Sequence, residues 1–157
     1  MITKPTLQPK PGYVEVEVAG RRTYKNIITG VLIEDETPVI TVDSAKAEKI
    51  SEIKQACESY IYAGTDVIMS DKSTEHFTYT LADQSNISEM FTAIMAGATE
   101  YPYHADGEIC KIYTKEQIAT IYGTLSLFKT EATTYHNSLK AQINAMTDAD
   151  AISAIKF

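Results

Sequence analysis

The longest regular hydrophobic pattern in the chain lies in residues 114–146. Apolar or small side chains recur there every seven positions, and a second set follows three positions after the first, which is the spacing of one face of an α-helix. The two sets are Ile118, Leu125, Ala132, Leu139 and Met146, and Ile121, Phe128 and Tyr135. Thr114 and Gln117 fit a capping box at its start. We expect one long helix, in which a kink or break would fall at Gly123 or within residues 130–134, because Gly and Thr are poor helix formers.

A second helix is expected over residues 43–64, with Asp43 as its N-cap and Gly64 as its terminating residue. Its apolar stripe consists of Ile50, Ile53, Cys57 and Tyr60. Two heptads are too short to predict a coiled coil. The stripe therefore has two interpretations: it packs on the chain's own domain, or it forms an interface between copies of the chain.

Strands are expected on either side of this second helix. Apolar and acidic residues alternate in residues 13–18, and residues 22–28 can pair with them as a hairpin, which places Arg22 near Glu17. A short strand at residues 31–33 precedes the acidic residues 34–36, for which we expect a turn. Residues 1–12 contain three prolines and are expected to form an extended arm.

Residues 65–157 show a hairpin followed by a helix, and this pattern occurs twice. The first hairpin is expected from residues 67–70 and 77–81, where Phe77, Tyr79 and Leu81 alternate on one face, and the helix from residues 85–96. The second hairpin is expected from residues 101–105 and 108–113, joined by Asp106-Gly107 in a type I′ turn. After the long helix, a short terminal helix is expected to return Ile152 and Ile155 to the core.

The predicted fold class is α+β. It has an N-terminal extended arm and β-hairpin, a connecting helix, and a ββαββα domain with a four-stranded antiparallel sheet and a long C-terminal helix. The expected parts are an arm with a small β attachment region at 1–42, a connecting or oligomerisation helix at 43–64, and the C-terminal domain at 65–157.

Charge and composition narrow the partners of the chain. Residues 1–42 carry five basic and five acidic side chains, so the formal charge of −7 comes from residues 43–157. A nucleic-acid interface needs the opposite sign, so we predict no nucleic-acid partner. No apolar run approaches the ~18 residues of a membrane span, and we expect no membrane association and synthesis in a cytoplasm. Cys57 and Cys110 are isolated and are expected to be two buried small hydrophobic residues without a disulfide between them.

Candidate chemistry is sparse. His104, Asp106 and Glu108 alternate around one turn, but metal sites usually draw ligands from several elements with supporting contacts. We therefore predict no metal, no cofactor and no catalytic residues, although a nucleophile and a base that only folding brings together would leave no motif. The remaining histidines are expected to be partly exposed polar residues. Ten tyrosines without a tryptophan suit either a surface that meets proteins or glycans, or the edge of the core.

A family resemblance adds to this picture. Residues 71–157, and most specifically residues 101–113, 128–139 and 150–155, resemble a C-terminal domain of unknown function that recurs in bacteriophage tail proteins. Residues 10–18 also resemble the start of small phage tail proteins. The resemblance brings no catalytic motif and no functional residues.

The resemblance implies a virion structural protein of a phage tail, in the fibre or baseplate, with an attachment or adaptor role. A tail-fibre assembly chaperone and a host receptor or glycan-binding module are the alternatives. The implied partners are other tail proteins and further copies of the chain, with a trimer favoured. If Ile50, Ile53, Cys57 and Tyr60 are surplus to the core, they are the expected interface.

Overall fold

The computed structural model of the protein describes residues 12–18, 21–38 and 41–157. Its elements are, in order, β1 (Tyr13–Val18), β2 (Arg21–Asn26), β3 (Leu32–Pro38), α1 (Val42–Ala63), β4 (Thr65–Ile68), β5 (Thr74–Phe77), α2 (Leu81–Met95), β6 (Glu100–Tyr103), β7 (Lys111–Thr114), α3 (Lys115–Ala145) and α4 (Ala149–Ser153). Helices combined with antiparallel strands confirm the α+β class. The predicted N-terminal arm lies outside the described residues except for Gly12.

Helix α3 is the central element of residues 41–157. The Thr114 hydroxyl accepts a hydrogen bond from the Gln117 backbone, and the Gln117 side chain accepts one from the Thr114 N–H, which confirms the predicted capping box. The helix continues for 31 residues through Gly123 and the threonines. Its buried side chains include the predicted seven-residue set from Ile118 to Leu139, and Ile143. Of the second predicted set only Ile121 is buried, so the stripe is wrong for Phe128, which is half-buried, and for Tyr135, which is exposed.

The core has two parts, both of which contact α3. The larger part contains side chains from α1, both C-terminal hairpins, α2 and α3, among them Cys57, Val67, Phe77, Ile87, Met90, Ile94, Tyr113, Ile118, Ile121 and Leu125. The smaller part contains Ala45, Ile53, Leu139, Ile143 and Ile152, with Ile155 packed against it. The terminal helix α4 therefore folds back onto the core, as predicted.

Helix α1 begins slightly earlier than predicted. Its N-cap is Thr41, whose hydroxyl accepts a hydrogen bond from the Ser44 N–H at 3.1 Å, so the assignment of Asp43 as N-cap is wrong. Asp43 instead lies in the first turn, where its negative charge interacts favourably with the positive end of the helix dipole. Gly64 ends the helix with a φ of +78°, as predicted.

The N-terminal strands form one antiparallel sheet in the order β1-β2-β3. The backbones of Glu17 and Arg22 pair as predicted. The acidic turn at residues 34–36 is wrong, because these residues belong to β3, where Glu34 pairs with Thr23. Pairing with β2 decides the conformation, and the polar composition of the segment does not.

The predicted four-stranded sheet is also wrong. Strands β4 and β5 form one two-stranded sheet, and β6 and β7 form another. The turn prediction failed with it, because β6 and β7 are separated by residues 104–110. A type I′ turn needs positive φ at both central residues, and here Gly107 has a φ of +75° whereas Asp106 does not.

Helix α2 begins four residues before its predicted start. Thr80 and Asp83 form a capping box there, so Leu81 starts the helix and is exposed. Only Phe77 and Tyr79 of the proposed alternating face are buried, and the alternation predicted through Leu81 is wrong. The helix ends at Met95 and is followed by Gly97 with a φ of +109°, close to the predicted stop.

The same substitution at two glycines should have opposite effects on stability. Gly64→Ala forces a side chain into positive φ and places its Cβ against the Phe77 carbonyl oxygen and Thr78 Cα. We expect the free energy of unfolding to fall by more than about 2 kcal/mol. Gly123→Ala meets no atom within 4 Å in the middle of α3 and should raise it by about 1 kcal/mol. Urea unfolding followed by circular dichroism measures both, and equal signs for the two variants would contradict the assigned backbone geometry.

Candidate functional site

The proposed interface residues lie along α1, and two of them are used by the chain itself. Ile53 is 1% exposed in the smaller core, and Cys57 is buried with its thiol 3.7 Å from the Ala132 carbonyl oxygen. Burial raises the pKa of the Cys57 thiol, which therefore stays protonated and unreactive. Ile50 is half-buried against the smaller core. Tyr60 is 52% exposed. Of the two cysteines that were expected to be buried, Cys57 is buried and Cys110 is exposed, so the expectation is wrong for Cys110.

The burial of Ile53 and Cys57 leaves them no surface for an interface between copies of the chain. The interface was expected on the condition that the stripe is surplus to the core, and Ile53 and Cys57 do not meet that condition. An aspartate at position 53 would put an unpaired charge in the core of the single chain and would unfold it. Assembly through Tyr60 and its surroundings stays a prediction.

An open groove lies beside Tyr60, and its walls are mainly aromatic. We call it the aromatic groove; its lining consists of Tyr60, Phe128, Glu131, Ala132, Tyr135 and Phe157. The Tyr60 ring centroid lies 4.9 Å from that of Phe128 and 6.0 Å from that of Phe157, and the Phe157 and Tyr135 centroids are 5.4 Å apart. The ring planes meet at angles of 38° to 65°, so the rings present differently oriented faces.

Helix spacing explains how the aromatic groove forms. Phe128 and Tyr135 are seven residues apart on α3, and the small Ala132 lies between them. Because Ala132 has only a methyl group, α1 approaches α3 closely there, as the contact with the Cys57 thiol shows. The larger rings on either side border this close approach, and Phe157 follows α4 to complete the groove.

A second groove lies between α2 and α3 and is polar. Its lining includes Gln84, Lys129, Thr130 and Thr133. These groups already have partners: the Lys129 ammonium donates to the Gln84 amide oxygen at 2.6 Å, and the two threonine hydroxyls donate to α3 carbonyl oxygens at 2.8 Å. A ligand would have to displace these bonds, so the aromatic groove is the better candidate site.

The candidate metal ligands do not converge. Asp106 accepts hydrogen bonds from the Thr78 N–H at 2.8 Å and from the Thr78 hydroxyl at 3.0 Å, so its carboxylate fastens the 104–110 loop to the segment after β5. In the described part of the chain, no three His, Cys, Asp or Glu side chains are arranged to hold a metal ion. His104 stacks on Tyr103 with ring centroids 5.3 Å apart.

His76 lies between acceptors on both sides of its ring. Its Nδ1 is 2.7 Å from an Asp66 carboxylate oxygen, and its Nε2 is 2.9 Å from the Ala63 carbonyl oxygen and 3.8 Å from Asp106. The hydrogen bond to Asp66, followed by that to Ala63, raises the pKa of His76. The ring ties the last turn of α1 to the first C-terminal hairpin.

Glu75 joins the two C-terminal hairpins. Its carboxylate accepts a hydrogen bond from the Tyr113 hydroxyl at 2.5 Å and another from the Lys111 ammonium at 2.6 Å. Burial and the bond to Glu75 raise the pKa of Tyr113, and burial with the nearby Asp83 carboxylate raises the pKa of Tyr103 to about 12. Both phenols therefore remain hydrogen-bond donors. Both oxygens of the Glu75 carboxylate accept hydrogen bonds, so this group supports the fold.

Sequence reasoning missed the aromatic groove, although a signal was present. Phe128 and Tyr135 were assigned to the core stripe because they fit its spacing. The small Ala132 between two aromatic residues was the signal, because it allows the neighbouring helix to come close at one point and leaves the larger rings at the border. The contribution of Phe157 depends on how α4 folds back, which no local pattern shows.

A comparison with known protein families finds a match for the larger part of the chain. The family model described as a domain of unknown function (DUF4376) matches residues 44–156. No curated protein and no solved structure shows a match to the chain. Within the described residues, no helix combines the length and apolar character required to cross a membrane.

The His76 contacts predict a pH-dependent contribution to stability. The pKa of His76 in the folded protein is raised above the ordinary value of 6.5. The stability that its contacts contribute is therefore fully present below pH 6.5 and is lost as the pH rises through the folded pKa. We expect the difference in unfolding free energy between the protein and His76→Gln to shrink from about pH 6 to about pH 9. The change should be small, because the His76 side chain is 45% exposed and solvent screens the pair.

Denaturant unfolding at the two pH values measures this difference. Asp66→Asn is the matched variant, because it removes the main cause of the raised pKa and leaves the ring in place. The stability difference between the protein and Asp66→Asn should therefore shrink between the two pH values by most of the amount expected for His76→Gln. A stability difference for His76→Gln that is equal at both pH values would contradict the assignment.

Proposed function

The chain belongs to the DUF4376 family, and we propose that it is a structural protein of a bacteriophage tail, in the fibre or baseplate, with an attachment role. The family description itself carries no function. Support comes from the resemblance of residues 71–157 to a domain that recurs in phage tail proteins, and from the division of the chain into a family domain and a separate N-terminal sheet.

The N-terminal sheet is the observation that carries the attachment role. Strands β1 to β3 precede the family match at residue 44, and their extensive packing is with one another. The loop between β2 and β3 and the first residue of β3 expose Ile27, Ile28, Val31 and Leu32, and Ile28 is 92% exposed. We call these four residues the apolar hairpin tip. Clustered apolar side chains of this kind mark surfaces that meet another protein.

The apolar hairpin tip is held in a defined conformation by Asn26. Its side-chain oxygen accepts hydrogen bonds from the Ile28 N–H at 3.0 Å and the Thr29 N–H at 2.9 Å, and its N–H donates to the Val31 carbonyl oxygen at 2.9 Å. A fixed loop loses little conformational entropy when it binds. This favours a preformed attachment point for a neighbouring tail protein.

In this role the family domain needs no catalytic residues. The ionisable groups that approach one another there, His76 with Asp66 and Glu75 with Lys111 and Tyr113, hold elements together. The domain would serve as a rigid body that the N-terminal sheet attaches to the tail.

We expect the chain to be present in purified phage particles at a constant copy number. Quantitative mass spectrometry of density-purified particles, compared with the lysate from which they come, measures this. A chain that is abundant in the lysate and absent from particles would replace the structural role with that of an assembly chaperone.

A matched pair of variants tests the attachment point. Ile28→Asp places a charge on the apolar hairpin tip and should reduce incorporation into particles at least tenfold, because a buried unpaired charge costs several kcal/mol at an interface. Ile109→Asp is the control, because Ile109 is also highly exposed but lies in the 104–110 loop. Incorporation that is equally reduced, or equally unaffected, in the two variants would contradict attachment through the tip.

Self-association in a trimer is the further expectation from the resemblance. Light scattering of the protein at tens of micromolar should then give three times the chain mass of 17.4 kDa. A single-chain mass under these conditions would contradict the trimer and would leave attachment through the apolar hairpin tip unaffected.

A further inference from the structure

We propose that the aromatic groove is a binding site for a small quaternary ammonium cation of the choline class. Four rings, those of Tyr60, Phe128, Tyr135 and Phe157, line a space of about 360 Å³. This volume lies at the lower end of the roughly 300–1,000 Å³ typical of small-molecule sites. The proposal does not depend on the role in a phage tail.

The ring geometry suits a cation. Neighbouring ring centroids are 4.9 to 6.0 Å apart, and their planes are inclined to one another by 38° to 65°. A cation is attracted to the face of an aromatic ring when it lies within about 6 Å of the centroid. Inclined rings at this spacing can offer several faces to one trimethylammonium group, as quaternary ammonium sites require.

The polar groups of the groove favour a cation over a sugar. Its lining offers the Tyr60 and Tyr135 hydroxyls and the Glu131 carboxylate, and it includes no amide and no basic side chain. A sugar presents many hydroxyl groups, and those left without partners would lose affinity. A quaternary ammonium needs no hydrogen-bond acceptor and gains from one carboxylate nearby.

Charge also favours this ligand. Glu131 is exposed at the groove, and no ion pair or hydrogen bond of its carboxylate occurs among the described residues. The formal charge of −7 on the chain adds a long-range attraction for cations and repels anions.

The test uses choline and its neutral isostere, neohexyl alcohol, in which carbon replaces the charged nitrogen. Proton NMR of the ligand reports binding directly, because aromatic ring currents shift methyl protons upfield when they lie over ring faces. We expect a saturable upfield shift of the choline methyl signal and at least a fivefold weaker effect for the neutral isostere. Equal binding of the two ligands would show a merely apolar groove and overturn the proposal.

Variants locate the site. Tyr135→Leu removes one ring face and should weaken choline binding about two- to fivefold, and Glu131→Gln should do so by a similar factor through loss of charge. Glu89→Gln on the exposed side of α2 is the matched control and should leave binding unchanged. Because Glu131 is exposed, its variant keeps the fold and remains decisive if Tyr135→Leu is destabilised.

Three further results would overturn the assignment. They are the absence of a saturable choline shift, an equal loss of binding in Glu89→Gln and Glu131→Gln, and binding of a methyl glucoside in place of choline. The last result would turn the groove into a sugar site and would support the glycan-binding alternative.

Discussion

Residues 41–157 depend on one constraint: each of the other elements must bury its apolar side against α3 or against something that α3 supports. A two-stranded hairpin has too little surface to be stable alone in water, and here there are two of them. Val67 and Phe77 from one hairpin and Tyr113 from the other enter the same core as Ile118, Ile121 and Leu125 of α3. A long, uninterrupted central helix is what allows the small strands to exist.

Side-chain contacts join the two C-terminal hairpins, in place of the backbone hydrogen bonds that a continuous sheet would provide. Phe77 lies between the rings of Tyr103 and Tyr113, with centroid distances of 6.3 and 6.2 Å. Glu75 and Asp106 add the polar links between the hairpins. These contacts hold the hairpins together although their strands do not form one ladder. Of the three residues that alternate around the predicted turn, Asp106 is therefore used to hold the fold together.

The sequence allowed the helices to be predicted better than the sheets. Periodicity and caps are local, so α3, its capping box and the end of α1 at Gly64 could be predicted within a residue or two. Strand pairing is not local. The sequence of residues 34–36 does not show that they pair with β2. The sequence Asp106-Gly107 does not show that the Asp106 carboxylate accepts a hydrogen bond from Thr78 in place of a tight turn.

The aromatic groove was hidden for a related reason. Spacing places Phe128 and Tyr135 on a helix face, but only the position of the neighbouring helix decides whether that face is fully covered. Tyr60 and Phe157 approach the face from parts of the chain that are far apart in sequence. The proposed interface on α1 had the same weakness, because periodicity identified Ile53 as apolar and could not show whether its partner belonged to the same chain.

The packing of α1 has a consequence for folding during synthesis. Ile53 lies in one cluster with Leu139, Ile143 and Ile152, and the Lys46 ammonium donates to the Asn144 carbonyl oxygen at 2.9 Å, across 98 positions of sequence. Such distant contacts form slowly and only after the later segment is available. Helix α1 therefore cannot bury its apolar stripe until the residues of α3 and α4 have left the ribosome. During that interval the nascent chain exposes the surface that a chaperone or a second chain could bind.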